Sequence, residues 1–256
     1  MSDDTVLQVS TSRGVATLTL DSPANRNALS RAMRAQLRAA LADALADDAV
    51  RVVVLDHTGR VFCSGMDLGE AAGGAAGDQG VRELPELLET VWRSPKPVVA
   101  VLRGPARAGG VGLAAACDVV VAASSATFAF SEVRLGIVPA VISAVVLPRM
   151  VPHTAHRLML TGEVFDAAAA AAGGLVDLAV PDDDVDAAVS AQVTALAAGA
   201  PAALAETKRL LRAGGLRGSS DELLELSARF FASEEGQEGI AAFREKRPAR
   251  WVPATD

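Results

Sequence analysis

Hydrophobic residues follow two different periods along this chain. Residues 6–20 alternate apolar and polar positions, as strands do, and Arg13-Gly14 in their middle predicts a hairpin turn. Between Ser30 and Asp47 the apolar residues recur every four positions, which predicts an amphipathic helix with Ser30 as its N-cap. The chain is therefore expected to begin with a β-hairpin followed by a helix.

The middle of the chain alternates strand and helix patterns. Strands are predicted at 51–56 and 98–102, a helix at 82–93, and a helix that passes into a further strand at 113–123. The Gly- and Ala-rich stretch at 69–80 has little that could pack, which predicts a mobile loop. This order of elements indicates a βαβ architecture.

Helix patterns dominate after Pro139, where the strand signals fade. The predicted helices cover residues 153–160, 166–172, 184–197, 201–212 and 221–231. The glycine pairs at 173–174 and 214–215 are interpreted as helix stops. We expect the last third of the chain to be helical.

Composition and charge exclude several classes of protein. The chain has 256 residues, of which 50% are hydrophobic, so it can bury a large core. Its net charge of -7 comes from scattered acidic residues. The sequence has no basic stripe interleaved with aromatic residues, so a nucleic-acid partner is not expected. The start of the chain is acidic rather than signal-like, and no apolar run is long enough to span a membrane. We therefore expect a cytoplasmic protein without a membrane partner.

The cysteines and histidines do not predict a metal site or a nucleophile. Cys63 and Cys117 lack metal-ligand spacing, so they are expected to be reduced thiols in a core. None of the three histidines, His57, His153 and His156, accompanies a Ser or Cys in a nucleophile-elbow context. We interpret all three as structural or solvent-facing.

Two glycine-centred segments carry the strongest chemical signal. In FCSGMDL (62–68), Gly65 can adopt positive φ and leave the N–H of Met66 unpaired, although an ordinary turn after a strand is the alternative. In GPARAGGVGL (104–113), Gly109 and Gly110 allow a close approach of the backbone to a ligand at a helix N-terminus. Two such N–H groups suit a developing oxyanion.

The second segment also permits a dinucleotide interpretation. Gly110-Val111-Gly112-Leu113-Ala114-Ala115 fits the GxGxxA fingerprint, and Glu132 follows 20 residues after Gly112. However, seven residues separate the predicted strand end at Leu102 from Gly110, whereas the fingerprint places its first glycine directly after the strand. Nicotinamide or flavin binding is therefore the weaker alternative.

Glu132 is a carboxylate among apolar residues in FAFSEVRLGIVPA. Desolvation there would raise its pKa toward that of a useful general base. The alternative is a surface glutamate paired with Arg134. Near the end of the chain, the basic cluster Arg244, Lys246 and Arg247 is either a solvated face or a site that neutralises phosphate.

In order and spacing these segments resemble the enoyl-CoA hydratase/isomerase (crotonase) superfamily over essentially the whole chain. The shared segments are RNAL at 26–29, FCSGMDL, PKPVVAVLRGPARAGGVGLAAACD, SEVRLGIVP, LTGEVFDAAAAAAGGLVD and FREKRPARW. The resemblance implies an α/β fold with a crotonase-like ββα spiral core at 1–195 and a C-terminal helical oligomerisation region at 196–256. It also implies a homotrimer or a dimer of trimers.

The same resemblance implies roles for individual residues. The N–H groups of Met66 and Gly109 would form the oxyanion hole for the carbonyl of an acyl-CoA thioester, with Glu132 as the catalytic carboxylate. Coenzyme A would come with the substrate, so no separate cofactor or metal is implied. The residues expected to bind the substrate and its CoA are Arg26, Ala28, Ser64, Gly65, Asp67, Leu68, Gly110 and Lys246, the last of them reaching the phosphates from the final helix.

The chain departs from the two-carboxylate hydratases of this family, which carry a Glu three residues after the oxyanion-hole glycine. That position is Gly112 here, and Ala108 replaces the first glycine of the usual triple. A single carboxylate resembles both the one-Glu isomerases and a hydratase branch that includes methylglutaconyl-type enzymes. Three functions stay open: water addition to a 2-enoyl-CoA, which is favoured, double-bond migration, and acyl-CoA binding without catalysis.

Overall fold

The structure is a computed structural model that describes residues 5–71, 83–213 and 220–253. Most of the loop predicted at 69–80 and the glycine pair at 214–215 lie outside these residues. The strands are β1 (Leu7–Ser12), β2 (Val15–Leu20), β3 (Val52–His57), β4 (Val98–Leu102), β5 (Ala106–Arg107), β6 (Val119–Ala123), β7 (Thr127–Ala129), β8 (Phe165–Asp166) and β9 (Leu178–Val180). The helices are α1 (Arg31–Ala46), α2 (Leu68–Ala71), α3 (Glu83–Arg93), α4 (Gly109–Ala116), α5 (Ala140–Val146), α6 (Pro152–Thr161), α7 (Ala167–Ala172), α8 (Val185–Ala197), α9 (Pro201–Arg212), α10 (Ser220–Ala232) and α11 (Glu234–Glu245).

A six-stranded sheet in the order β1-β2-β3-β4-β6-β9 forms the centre of the molecule. β1 and β2 are antiparallel, and every later pair is parallel. Arg13 and Gly14 both have positive φ, which matches the twist of a tight hairpin and confirms the predicted turn. Parallel strands need crossover connections, and α1, α3 and α4 supply them as the alternation predicts.

Both faces of the central strands β3, β4 and β6 are covered. Side chains of alternate strand positions pack on one face with α1, α3 and α4, whereas Val52, Val99 and Val121 pack on the other face with Val185 of α8. Burial on both faces explains why β3, β4 and β6 are continuous apolar runs, whereas β1 and β2 at the edge of the sheet alternate.

A small second sheet brings two loops together. β5 pairs in parallel with β7, and β7 pairs antiparallel with β8. β5 directly precedes α4, and β7 directly precedes the turn that carries Glu132. The Ala108 N–H donates to the Ala129 carbonyl (3.0 Å), which closes the end of this pairing. The N-terminus of α4 and Glu132 are therefore fixed relative to each other.

The remaining predictions are confirmed in part. The Ser30 hydroxyl caps α1 by accepting the Met33 N–H, and the helices after Pro139 form. Leu68–Ala71 is helical rather than loop, because Asp67 Oδ1 accepts the N–H groups of Gly69 and Glu70. The sequence patterns missed α5, α11, β5, β7, β8 and β9.

Within the described residues, no single helix has both the length and the apolar character of a membrane span. The pair Asp182–Ala197 and Pro201–Arg212, bent by 106°, would meet that criterion only if taken together.

Candidate active site

The two glycine-centred segments meet through their backbones. Gly65 has φ +91, and a Cβ added there would lie 3.1 Å from Ala108 Cβ and 3.3 Å from the nitrogen of Gly109. A side chain at position 65 would therefore be strained both by its backbone conformation and by its surroundings. The backbone conformation and the close contacts both favour glycine at position 65.

Segment 62–66 is held from both sides. On one side the Leu29 N–H donates to the Gly65 carbonyl (2.8 Å), and on the other the Arg107 N–H donates to the Cys63 carbonyl (3.0 Å). The N–H groups of Met66 and Gly109 form no hydrogen bond with any residue that the structure describes. They are therefore available to an acceptor from outside the chain.

Met66, Gly109 and Glu132 line one cavity of about 150 Å³. The other lining residues are Ser64, Leu68, Leu84, Ala108, Ser131, Leu135, Ile137, Val138, Pro139, Val141 and Ile142. Apolar side chains dominate this wall. A cavity of this composition suits an apolar acyl group near a small number of polar groups.

Glu132 lies in the 3-10 turn Ser131–Leu135 and is only 8% exposed. Its Oε2 atom is buried and has no hydrogen-bond partner among the described residues. Burial raises the pKa of this carboxyl group by desolvation, as its apolar neighbours predict. Arg134 donates instead to the Thr161 carbonyl (2.8 Å), so the interpretation of Glu132 as a surface partner of Arg134 is wrong.

Ala108 carries backbone strain beside the cavity. It is the N-cap of α4 and has φ 47 and ψ -117, a conformation that a residue with a side chain rarely adopts. The sequence shows an alanine where the family has glycine, but it does not show this conformation. The strain lies directly next to the Gly109 N–H.

Gly110 and Gly112 serve packing. A Cβ at Gly110 would lie 2.4 Å from the Cys63 carbonyl oxygen, and one at Gly112 would lie 2.5 Å from Ile142 Cγ2. Because these glycines pack against protein atoms, they leave no space for a pyrophosphate. The dinucleotide interpretation is therefore wrong.

The residues expected to contact coenzyme A lie in several places. Ser64 and Leu68 line the cavity, and Gly65 lies between the two N–H groups. Arg26 is exposed and its carbonyl accepts the Ser64 N–H (3.1 Å), whereas the neighbouring Ala28 is buried.

Three further expected residues do not line the cavity. Asp67 accepts hydrogen bonds from the backbone of α2, and Gly110 is buried against Cys63. Lys246 is exposed at the C-terminal end of α11.

Asn27 supports the site and was not singled out from the sequence. It is fully buried with φ 52, and its Nδ2 donates to the carbonyls of Thr58 (2.9 Å) and Val61 (2.8 Å). Its Oδ1 accepts the Ser22 N–H (2.7 Å). Asn27 thus joins the turn before α1 to the chain that enters segment 62–66. Asparagine tolerates the left-handed conformation, which is the signal that could have identified it.

Arg34 is a second supporting residue that was not predicted. It is 2% exposed, its Nε donates to Glu83 (2.7 Å), and its Nη1 lies 3.7 Å from Glu70. The hydrogen bond from Arg34 lowers the pKa of Glu83. The signal lies in the position of Arg34, since it shares the apolar helix face with Leu37 and Leu41 and a buried cation there requires partners.

The two cysteine thiols and the ring of His57 have structural roles. Cys63 and Cys117 are free and buried, and desolvation raises the pKa of each thiol to about 12. His57 accepts the Arg103 N–H at Nε2 (3.0 Å), and burial lowers its pKa. The described residues contain no group of three or more His, Cys, Asp or Glu side chains arranged to hold a metal ion.

The fold and sequence together define the class of this protein. The sequence profile described as enoyl-CoA hydratase/isomerase matches residues 10–253, and the chain belongs to this family of enzymes.

Individual relatives agree with this assignment. A Rhodobacter capsulatus protein described as a probable enoyl-CoA hydratase is 39% identical over 248 residues, which cover 94% of this chain and 95% of the relative. Pseudomonas aeruginosa AtuE superposes with a TM-score of 0.91 at 36% identity, covering 96% of this chain and 99% of its own. An enoyl-CoA hydratase from Mycobacterium avium is 42% identical with a TM-score of 0.75, covering 97% and 99%. The predicted crotonase fold with a helical C-terminal region is confirmed.

Proposed function

We propose that this protein adds water to the double bond of a 2-enoyl-CoA thioester. The observation that supports this proposal best is one cavity lined by Glu132, Met66 and Gly109. In the described part of the chain, neither the buried Glu132 Oε2 nor the N–H groups of Met66 and Gly109 have a hydrogen-bond partner. The hydratase names of the relatives favour hydration over other reactions of the family.

In this reaction the thioester carbonyl accepts hydrogen bonds from the Met66 and Gly109 N–H groups. The ionised Glu132 takes a proton from water as the water oxygen bonds to C3. The electron pair of the C2=C3 bond moves toward the thioester, and the negative charge collects on the carbonyl oxygen. Each N–H donor contributes roughly 3 kcal/mol of stabilisation to this enolate.

The second half of the reaction uses the same carboxyl group. Glu132 returns its proton to C2, the enolate collapses to the thioester, and the carboxylate is regenerated. The sum is addition of one water molecule across the double bond. A single carboxylate is sufficient, because it first accepts and then donates the same proton.

Coenzyme A enters this proposal as part of the substrate. Arg26, Ala28, Ser64, Asp67 and Leu68 would follow the CoA moiety from the cavity toward solvent. Lys246 would neutralise phosphate charge from the end of α11, either in the same chain or across a subunit boundary in a trimer or a pair of trimers. Residues 196–256 would form the oligomerisation region.

The test is an assay of the purified protein with crotonyl-CoA and, separately, with a 3-enoyl-CoA. We expect crotonyl-CoA to be converted to a 3-hydroxyacyl-CoA. Turnover of the 3-enoyl-CoA alone would assign double-bond migration instead. Calorimetric binding of acetyl-CoA without product from either substrate would assign a non-catalytic acyl-CoA-binding protein.

A further inference from the structure

The proposed hydration requires a water molecule that is held in one orientation. Glu132 accepts one of its hydrogens, but a single hydrogen bond leaves the molecule free to rotate about that bond. Ordered buried waters make about three hydrogen bonds. An apolar cavity that orients water for attack on C3 therefore needs a second polar group beside the carboxylate.

Helix α4 does not supply this group. Gly112 has no side chain, and the space next to it is filled by Ile142, whose Cγ2 and Cβ would lie 2.5 Å and 3.0 Å from a Cβ at position 112. Ile142 is 2% exposed and also lines the cavity. This part of the wall is therefore hydrocarbon.

Two residues that carry hydroxyl groups, Ser64 and Ser131, belong to the described cavity wall. The Ser64 hydroxyl lies 3.5 Å from the Asn25 carbonyl, on the segment that carries the Met66 N–H. Ser131 directly precedes Glu132 in the same 3-10 turn and is half-buried. Its hydroxyl forms no hydrogen bond with any residue in the described part of the chain.

We propose that the Ser131 hydroxyl holds the reacting water together with Glu132. Ser131 accepts the second hydrogen of the water molecule, which directs an oxygen lone pair toward C3 while Glu132 takes the first hydrogen. This role rests on the proposed hydration. It assigns to a neighbouring hydroxyl the positioning that a second carboxylate at position 112 would otherwise provide.

The test compares two reactions in Ser131→Ala, Ser131→Thr and the matched control Ser143→Ala, which removes a hydroxyl that donates to the Ala140 carbonyl within α5. The first is hydration of crotonyl-CoA, and the second is exchange of the C2 protons of butyryl-CoA in D₂O, followed by NMR. The exchange needs a base and the oxyanion hole but no attacking water. We expect Ser131→Ala to lower kcat for hydration about 10-fold, as loss of one hydrogen bond predicts, with KM and exchange unchanged.

Ser131→Thr should restore most of the hydration rate because it keeps the hydroxyl. Ser143→Ala should hydrate at nearly the wild-type rate, because Ser143 does not belong to the cavity wall. Hydration by Ser131→Ala within twofold of wild type would overturn the role of Ser131, and so would an equal loss of hydration and exchange. A wild-type protein that catalyses exchange but no hydration would overturn the proposed function itself, which distinguishes the two failures.

Discussion

Lys208 of α9 donates a hydrogen bond of 2.7 Å to Asp118, which precedes β6. The same carboxylate accepts hydrogen bonds from Arg212 (2.7 Å) and from the Val98 N–H (2.8 Å). The Lys208 side chain is 9% exposed. Asp118 therefore joins α9 to the central strands β4 and β6, away from the cavity.

Asp118→Ala should lower the free energy of unfolding by about 3–5 kcal/mol, since it leaves a buried ammonium group with carbonyl acceptors only. Urea denaturation measures this loss. Glu89→Ala, which breaks the exposed ion pair with Arg93, is the matched control and should cost far less. The folded Asp118→Ala protein should have a kcat/KM close to that of wild type. If its stability were unchanged, Asp118 would not be important for holding the helix to the strands.

Glu132→Gln should lower kcat by about 10²–10⁴-fold, as expected for removal of a general base. The amide has nearly the same shape, so acyl-CoA binding should be retained. Steady-state rates and calorimetric binding of a saturated acyl-CoA check the two halves of this prediction. A glutamine variant with near-normal turnover would remove Glu132 from the mechanism.

The raised pKa of Glu132 predicts a pH dependence of activity. The base must be ionised, so kcat/KM should rise with pH through a value above the ordinary 4.5 of a glutamic acid. A profile measured with crotonyl-CoA over acidic and neutral pH tests this. If the rise in kcat/KM were complete below pH 4.5, burial would not raise the pKa of the catalytic base.

The same pKa predicts a pH dependence of stability with a defined sign. Between pH 4.5 and the raised value, the folded protein binds more protons than the unfolded chain, so its stability falls as pH rises. Glu132→Gln lacks this loss. The difference in Tm between this variant and the wild-type protein should therefore be more favourable to the variant at neutral pH than below pH 4.5. The same difference at both pH values would contradict the prediction.

Gly65→Ala should lower kcat by about 10²–10³-fold, because the added methyl group pushes the Ala108–Gly109 backbone away from Met66. Gly136→Ala is the matched control: it also has positive φ (+71), but a Cβ there meets nothing within 4 Å. Rates and thermal unfolding of both variants separate backbone strain from displacement of the donor. Equal losses of activity in the two variants would argue against the contact at Gly65.

Ala108→Gly should stabilise the protein by about 1 kcal/mol. The strained backbone at Ala108 costs about 1–3 kcal/mol, and glycine would remove this strain. Glycine also makes the unfolded chain more flexible, which lowers stability by only about 0.4–1 kcal/mol. Ala114→Gly, in the middle of α4, should instead destabilise by about 1 kcal/mol. Chemical denaturation of both variants decides whether position 108 is strained.

Features set by neighbouring residues could be predicted from the sequence. Arg13-Gly14 specifies the hairpin turn, and Ser30 with the four-residue spacing specifies α1. By contrast, Leu178–Val180 is a strand only because it pairs with Val121–Ala123, far away in the chain. Three residues are too few to show a period.

In the candidate site too, the sequence predicts features that depend on neighbouring residues but not contacts between distant segments. The apolar neighbours of Glu132 in the sequence predict its burial, and the structure confirms it. The sequence predicts a ligand contact at Gly110, but Gly110 packs against Cys63, just as Gly112 packs against Ile142, and no local pattern reveals either contact. The partners of Asn27 and Arg34 likewise come from distant segments.

Arg34 also affects which sequence changes the cavity wall of this enzyme can tolerate. Through Glu70 and Glu83 it anchors the chain on both sides of positions 72–82, within two residues of Leu68 and Leu84 in the cavity wall. Insertions, deletions and substitutions between these anchors can accumulate while both wall residues keep their places. The part of the cavity wall formed by Leu68 and Leu84 can therefore stay the same in relatives whose sequences differ between these two anchors.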